Sequence, residues 1–413
     1  MRSAYQCCST KTVGGMATGM RPLIAHVLEA TVGGTRRHLI DLVRHMDKGR
    51  FNLSIVCSTR RDERFVRDIA WMRSVGVKVF VVQMQRRISP IADLISLIIV
   101  CAIFKRLRPQ IVHAHSSKAG AIGRIAALIA GVPAVVYTPH AFSFMMHECG
   151  LKRSLFVQIE RLLARFTDVI IAVSNGERQA ALMEKIASPK KIRLIENGVD
   201  FSLLQPCVNH RMHWRDKWSI PEDAFVIGCV ADFRRQKGHR YLIEAMPMVL
   251  SLLSNAYLVL VGRGELERQL RALAADKAKG RIVFENSVHD DWSVYSAFDI
   301  YALASLYEGM PYTPIEALAF GLPIVLSDVI GNRDVFEACA SECGDAIIIG
   351  ELVEPKSSEA LAEAIVRILQ DNEMHTEQMR QKRRSTVMAR FSVARMVEHT
   401  QQLYEELLSG VVK

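Results

Sequence analysis

Short apolar runs rich in β-branched residues alternate with longer stretches of helical periodicity along almost the whole chain. In the first half the runs are PLIAHVLEA, FNLSIVCS, VKVFVVQM, QIVHAH, AVVYTPH, DVIIAVS and KIRLIEN. In the second they are FVIGCVAD, AYLVLVG, RIVFEN, DIYALAS, PIVLSD and AIIIGELV. A strand, a helix and a further strand bring the chain back to the same end of a sheet, so successive strands lie parallel. The pattern predicts an α/β chain of doubly wound parallel sheets and excludes all-α and all-β architectures. The rhythm breaks once, over the irregular, polar stretch 198–221 with Pro206, Trp214 and Trp218, and then restarts. At 413 residues a single core is too small for so many strands. Two similar α/β domains are expected, over 21–200 and 201–390. A floppy leader over 1–20 precedes them, with Met20 as an alternative start. In 391–413, FSVARMVEHTQQLYEELL has the three- and four-residue apolar spacing of an amphipathic helix, expected to pack back toward the first domain.

Composition narrows the setting. Half of the residues are hydrophobic and 23% are charged, which suits a globular chain and not a disordered one. No segment reaches the roughly 18 apolar residues that span a bilayer. The nearest, Leu94 to Phe104, runs into Lys105 and Arg106 and reads as a buried or surface-docked helix. The first twenty residues have no apolar stretch long enough for a signal peptide. The nine cysteines form no Cys-x-x-Cys pair, and Cys339 and Cys343, one helical turn apart, suit packing better than ligation. Neither a metal site nor a disulfide framework is expected, and the compartment is taken as the reducing cytoplasm. The net charge of +10 is uneven: residues 1–200 carry 30 lysines and arginines against 14 carboxylates, a local +16, while the remainder sums to −6. Such a split points to a polyanion on the first domain. No nucleic-acid module or interleaved aromatics accompany it, so an anionic membrane surface is the partner expected and nucleic acid is not. The basic segments at Arg86-Arg87 and Lys105-Arg106-Leu107-Arg108 would rest on it.

In open parallel sheets, ligands gather beyond the carboxyl ends of the strands. In the first domain those ends carry Gly33-Gly34, His115, His140 and Ser174-Asn175. In the second they carry Lys237-Gly238, Gly262-Arg263-Gly264, Asn286 and Glu308. The most specific segment is SLYEGMPYTPIEALAFGLP, beginning at Ser305. Glu308 follows an apolar strand, and Glu316 lies eight positions on, in the first turns of a helix prepared by Pro314. The loop between them, with Gly309 and Met310, offers backbone N–H groups. With the helix N-terminus it suits a diphosphate. A carboxylate beside it can accept hydrogen bonds from vicinal sugar hydroxyls.

Here the chain resembles glycosyltransferase family 4, retaining enzymes of GT-B architecture, in which two Rossmann-like domains face each other across a cleft. The glutamate pair with this spacing and Gly-Pro context carries the resemblance, supported by DFRRQKGH at Asp232, VSNGERQ, ENGVD, ALAFGLPIV and SDVIGNRDV. It covers the chain from about residue 21. It implies that Glu308 meets the donor sugar and Glu316 the ribose hydroxyls. Lys237 would neutralise the diphosphate, and Gly238 would let the backbone approach. Gly33-Gly34 would bring N–H groups to the phosphate, and His140, beside the transferred sugar, would complete the catalytic set with Glu308 and Lys237. Val288 falls where the family holds the base, and His115 and Lys118 are acceptor-side candidates. Asp232 stands where the family usually has an arginine, which leaves Arg234 or Arg235 to supply the cation. The adjacent Asp290 and Asp291 suit a helix start, and no metal or other cofactor is expected.

The resemblance implies retaining transfer from a nucleotide diphosphate sugar, a UDP-sugar first and a GDP-sugar second. With no second carboxylate placed as a covalent nucleophile, front-face attack is the expected course. The acceptor would be a glycan or polyprenyl-linked lipid at the inner face of the plasma membrane, as in bacterial surface polysaccharide synthesis. A dinucleotide oxidoreductase is the first rival, because Gly262-Arg263-Gly264 follows a strand, but the third glycine of that fingerprint is missing. Two more rivals share the fold: a nucleotide-sugar epimerase, and a catalytically inactive subunit that only binds nucleotide sugar.

Overall fold

The computed structural model describes residues 21–85, 87–146, 150–286 and 291–410. The leader 1–20, Arg86, Val288 and Asp290 lie outside the described residues. Seven strands, β1 (Leu23–Leu28), β2 (Asn52–Cys57), β3 (Lys78–Val81), β4 (Ile111–His115), β5 (Ala134–Thr138), β6 (Val169–Ala172) and β7 (Ile192–Leu194), form one sheet in the order β3-β2-β1-β4-β5-β6-β7. Six more, β8 (Phe225–Val230), β9 (Ala256–Val261), β10 (Ile282–Glu285), β11 (Ile300–Leu303), β12 (Ile324–Ser327) and β13 (Gly350–Val353), form a second in the order β10-β9-β8-β11-β12-β13. Every strand pairing in both is parallel. Helices cover both faces, so central strands are buried throughout: all five residues of β4 are inaccessible. This is the doubly wound arrangement expected, with two Rossmann-like sheets. In each, the strand order reverses beside the first strand, between β1 and β4 and between β8 and β11. Crevices open at such reversals.

Two stretches differ from the sequence expectation. The stretch 198–221, expected to be irregular, contains a 3-10 turn at Phe201–Leu203 and a helix at Val208–Lys217. That helix has a polar sequence and is held by specific anchors. Arg215 donates to the carbonyls of Glu222 and Ala224 and to Asp299, and Trp214 Nε1 donates to Ser293 Oγ at 2.9 Å. The run AIIIGELV is only half strand. Ala346–Ile349 turns into a short helix because the Asp345 carboxylate caps the Ile347 N–H at 2.9 Å, and β13 begins at Gly350.

The last helix, Val393–Leu408, leaves the second domain and packs on the first. Val393, Met396, Val397, Leu403, Tyr404 and Leu407 are buried among residues of β1, β2 and the Gly33–His45 helix. At about 1.5–3 kcal/mol per buried large apolar side chain, this contact contributes on the order of 10 kcal/mol as an upper bound. Where the chain crosses back, Val199 N donates to Phe391 O at 2.7 Å and Val393 N to Val199 O at 3.0 Å.

No helix among the described residues is long and apolar enough to cross a membrane. The Leu94–Phe104 run lies in the helix Pro90–Leu107, which buries only Ser96, Val100 and Phe104. It turns Ile91, Leu94, Ile95, Ile98 and Ile99 outward, each between 43 and 78% exposed.

Candidate active site

The carboxyl ends of the two sheets face one another across a cleft of about 1220 Å³ lined by both domains. That volume exceeds the roughly 300–1,000 Å³ of ordinary small-molecule pockets and leaves room for two substrates. From the first domain the helix Gly33–His45 points its N-terminus into the cleft, without an acidic residue in its first turn. Gly34 is there for close approach: a Cβ on it would lie 3.2 Å from the Tyr312 ring of the second domain. Asp232 faces Gly33, its carboxylate 3.7 Å from where a Cβ on Gly33 would sit, and pairs with Arg234 at 3.6 Å.

Lys237 closes the 3-10 turn Arg235–Lys237 after β8. The next residue, Gly238, has φ +63°, and a Cβ there would collide with the Ala304 carbonyl, so this turn is built for glycine. The turn delivers Lys237 Nζ to Glu308 Oε1 at 2.6 Å, the same oxygen that accepts from Ser305 Oγ at 2.6 Å. Gln236 Nε2 donates to Glu308 Oε2 at 3.3 Å. Glu308 is thus buried, paired and fixed at the end of β11.

Glu316 sits in the helix Tyr312–Ala319, with Pro314 in the first turn, where its missing N–H costs nothing. Three donors converge on its carboxylate. Tyr295 OH gives 2.8 Å, Trp292 Nε1 gives 3.0 Å and Arg37 Nη1, from the opposite domain, gives 3.5 Å. Arg37 lies over the Trp292 ring at 4.6 Å and pairs with Asp41 at 2.7 Å. Burial opposes its charge, but Asp41 and Glu316 outweigh that and raise its pKa further.

His140 and Ala141 follow β5 with φ of +53° and +80°, a strained turn for non-glycine residues. Glu177 holds it: the carboxylate accepts from Ala141 N at 2.7 Å and from Val173 N at 2.8 Å. Burial lifts the Glu177 pKa to about 7. Gly309 presses on the same turn from the second domain, 2.8 Å from Ala141 N at its would-be Cβ. Met310 is clasped by Asn197, whose Nδ2 donates to its carbonyl at 2.9 Å. Gly176 N donates to the Asp334 carboxylate at 3.0 Å, joining the segments VSNGERQ and SDVIGNRDV across the domain boundary.

Behind His140 lies a set of histidines. His115 Nδ1 bonds His140 Nε2 at 3.2 Å, and His115 Nε2 bonds His26 Nδ1 at 3.0 Å. His113 bonds Tyr404 OH at 2.6 Å and Thr138 Oγ1 at 2.7 Å, and His38 Nδ1 donates to Asn197 Oδ1 at 3.2 Å. Two trios, His26-His113-His115 and His38-His115-His140, bring ring nitrogens within 4.8 Å of one another, and imidazole is a fitting zinc ligand. Both nitrogens of His113 and of His115 are already hydrogen-bonded, so a cation here would have to break those bonds.

The structure therefore gathers Glu308, Glu316, Lys237, Arg234, Gly33, Gly34, Gly309, Met310, His140 and Lys118 in the lining of one cleft. Gly238 is buried behind that lining, against the Ala304 carbonyl. His115 is wholly buried one layer behind His140. Lys118 pairs with Asp93 of the Pro90–Leu107 helix. Asp291 caps the 3-10 turn Trp292–Ala297 through Ser293 N at 2.9 Å. Arg37, Trp292, Tyr295 and Glu177 escape the motif reading. Only Ser174-x-x-Glu177 has a recognisable signature, that of a capping box.

Two family models match the chain in succession: Glycosyltransferase Family 4 over residues 32–203, and Glycosyl transferases group 1 over residues 210–385. The chain is 28% identical to UDP-Gal:alpha-D-GlcNAc-diphosphoundecaprenol alpha-1,3-galactosyltransferase of Escherichia coli, over 93% of this chain and 97% of that protein. It is 26% identical to the capsular polysaccharide biosynthesis glycosyltransferase CapM of Staphylococcus aureus, over 79% and 85%. Among solved structures, Anabaena Alr3699/HepE in complex with UDP and glucose has a TM-score of 0.77 at 20% identity, with 94% of this chain and 100% of that one covered. Sucrose-phosphate synthase from Thermosynechococcus elongatus has a TM-score of 0.76 at 20% identity, with the same coverage.

Proposed function

We infer, for a chain that belongs to the family 4 glycosyltransferases of GT-B fold, that it moves a sugar with retention of configuration from a nucleotide diphosphate donor to a lipid-linked glycan. The observation that carries this reading is the convergence of Lys237–Glu308, Glu316 and the Gly33–His45 helix N-terminus on one cleft. The diphosphate would lie between Lys237 and that N-terminus, where cation and dipole stabilise the charge that grows on it as its bond to the sugar breaks. The acceptor hydroxyl would attack from the face the leaving group departs, forming the new C1–O bond and passing its proton to the diphosphate. A uridine donor is favoured, since the E. coli relative is named for UDP-Gal and the Anabaena neighbour holds UDP. The diphosphoundecaprenol acceptor of the same relative supports a lipid carrier for this chain. The outward apolar row on Pro90–Leu107, next to exposed Lys105 and Arg106, supports work at the inner face of a membrane.

A melting screen with UDP, GDP, ADP and NAD tests the donor. A rise with UDP, equal with and without EDTA, is expected, because the phosphate-binding groups are a lysine, backbone N–H groups and a helix end. A rise with NAD alone would sink the reading. In Glu316→Ala the ribose hydroxyls lose their acceptor, so the donor KM should rise about tenfold or more, with kcat much less changed. An unchanged KM would remove Glu316 from the donor site.

A further inference from the structure

The cleft does not end at Lys118. Its lining continues along the helix Ser117–Ala130 through Ala121 and Ile125. Leu94 and Leu97 of Pro90–Leu107 form one wall, and Phe156 and Ile159 of the helix Leu151–Ala164 form the other. The polar groups sit at the inner end. There Lys118 meets Asp93, whose second oxygen is buried without a partner, and Ser143 Oγ donates to Ser117 Oγ at 2.6 Å. This inner end is also the N-terminus of a 14-residue helix with no acidic residue in its first turn. Farther along the same helices the surface stays apolar and open, with Ile98 at 60%, Ile129 at 52% and Leu162 at 53% exposure. From Lys118 to Ile129 the Ser117–Ala130 helix rises roughly 16 Å. A soluble enzyme that needed only sugars in this cleft would have no use for such a channel.

We propose that the groove along Ser117–Ala130 binds the hydrocarbon chain nearest the phosphate of a lipid-linked acceptor, with the phosphate at Lys118 and the helix N-terminus. This rests on the transferase reading and adds to it where the lipid lies. The amphiphile fits on two counts. Its phosphate would take the place of the Asp93 carboxylate on Lys118 at the N-terminus of the Ser117–Ala130 helix, and its single chain matches the apolar lining that runs from the reaction cleft toward an apolar outer face. The channel would hold the acceptor's first few isoprene-sized units out of the bilayer and place the sugar they carry beside His140. The helix face outside the groove, with Ile91 and Ile98, would meet the bilayer itself.

Calorimetric titration of the full chain in detergent-free buffer, with farnesyl diphosphate and with inorganic diphosphate, tests this. Farnesyl diphosphate is expected to bind at least tenfold more tightly than inorganic diphosphate. Ile125→Trp, which fills the channel, should abolish that advantage while leaving inorganic diphosphate binding and the UDP melting shift in place. Ala121→Phe is a second plug, should the first variant fold poorly. The double variant Ile91→Gln, Ile98→Gln on the outer face should keep the advantage. Equal affinities for the two probes, or loss of the advantage only in the outer-face variant, would overturn the groove and leave the transferase reading standing. A farnesyl preference without any nucleotide shift in the wild type would do the reverse.

Discussion

Lys237→Ala is expected to lower kcat/KM by about a hundred- to a thousandfold, the loss that follows when one preorganised partner of developing charge is removed, about 2.7–4 kcal/mol. The geometry makes the effect double. Lys237 is 2.6 Å from Glu308, and Glu308 is only 5% exposed. Without the ammonium the diphosphate loses its cation, and the buried carboxylate keeps only Ser305 and Gln236 as donors. An uncompensated buried charge is costly and repels an incoming polyanion. Lys237→Arg keeps the charge, but its planar fork does not reproduce a compact ammonium in this turn, so it should recover only part of the rate. Steady-state rates normalised to the folded fraction measure this, and wild-type kcat/KM in Lys237→Ala would refute the site.

The second large effect is acid lability. His26, His38, His113 and His115 are at most 2% exposed. Burial holds all four neutral in the folded protein, His26 with a pKa of about 3, His38 of about 4, and the other two well below the ordinary histidine value. Unfolded, each would take up a proton near pH 6.5. Their stabilising contribution is therefore full above pH 6.5 and is lost as pH falls from there toward the folded values. The buried carboxyls of Glu177 and Asp41 run the other way. Burial raises their pKa, so the native state binds protons that the unfolded chain releases above its own carboxylate pKa. His140 and His239 are held below the ordinary histidine value in the same way and Asp334 is raised with the other two carboxyls, so the lowered histidines outnumber the raised carboxyls and the net effect of acid is to destabilise the fold. Thermal melts at pH 7.5 and pH 5.0 should differ by on the order of 10 °C. A difference of about 3 °C or less would mean that the array accepts protons without opening.

The α/β class and thirteen strand positions were legible because parallel strands covered on both faces read as uninterrupted apolar runs, and β6 and β11 do so. Val208–Lys217 was not legible as a helix. Its stability comes from Arg215 and Trp214 reaching residues some eighty positions away, which no local periodicity records. The cleft divides in the same way. Glu308, Glu316 and Lys237 stood out because short-range chemistry, a strand end, a glycine turn and a helix start, places them. Trp292 and Tyr295 did not, because they meet Glu316 from 24 and 21 positions away within the second domain, and Arg37 did not, because it matters only once the two domains face each other. Arg37 touches Glu316 across 279 positions of sequence. The histidines at 26 and 113 were hidden for another reason. They sit inside apolar strands, in register with each other, and only the pairing shows that they meet.

Tyr404 has a bearing on how the protein is made. Its hydroxyl bonds His113 at 2.6 Å, and its ring packs against Phe51 and His26 within the first domain's core. The first domain therefore lacks one wall of its core until nearly the last helix has been synthesised. At about 5–20 residues per second, the more than two hundred residues of the second domain impose a wait on the order of 10–40 s. For that interval the nascent first domain would present the apolar seam of β1, β2 and Gly33–His45 to solvent. It is the completed chain, doubling back on its own beginning, that seals the seam.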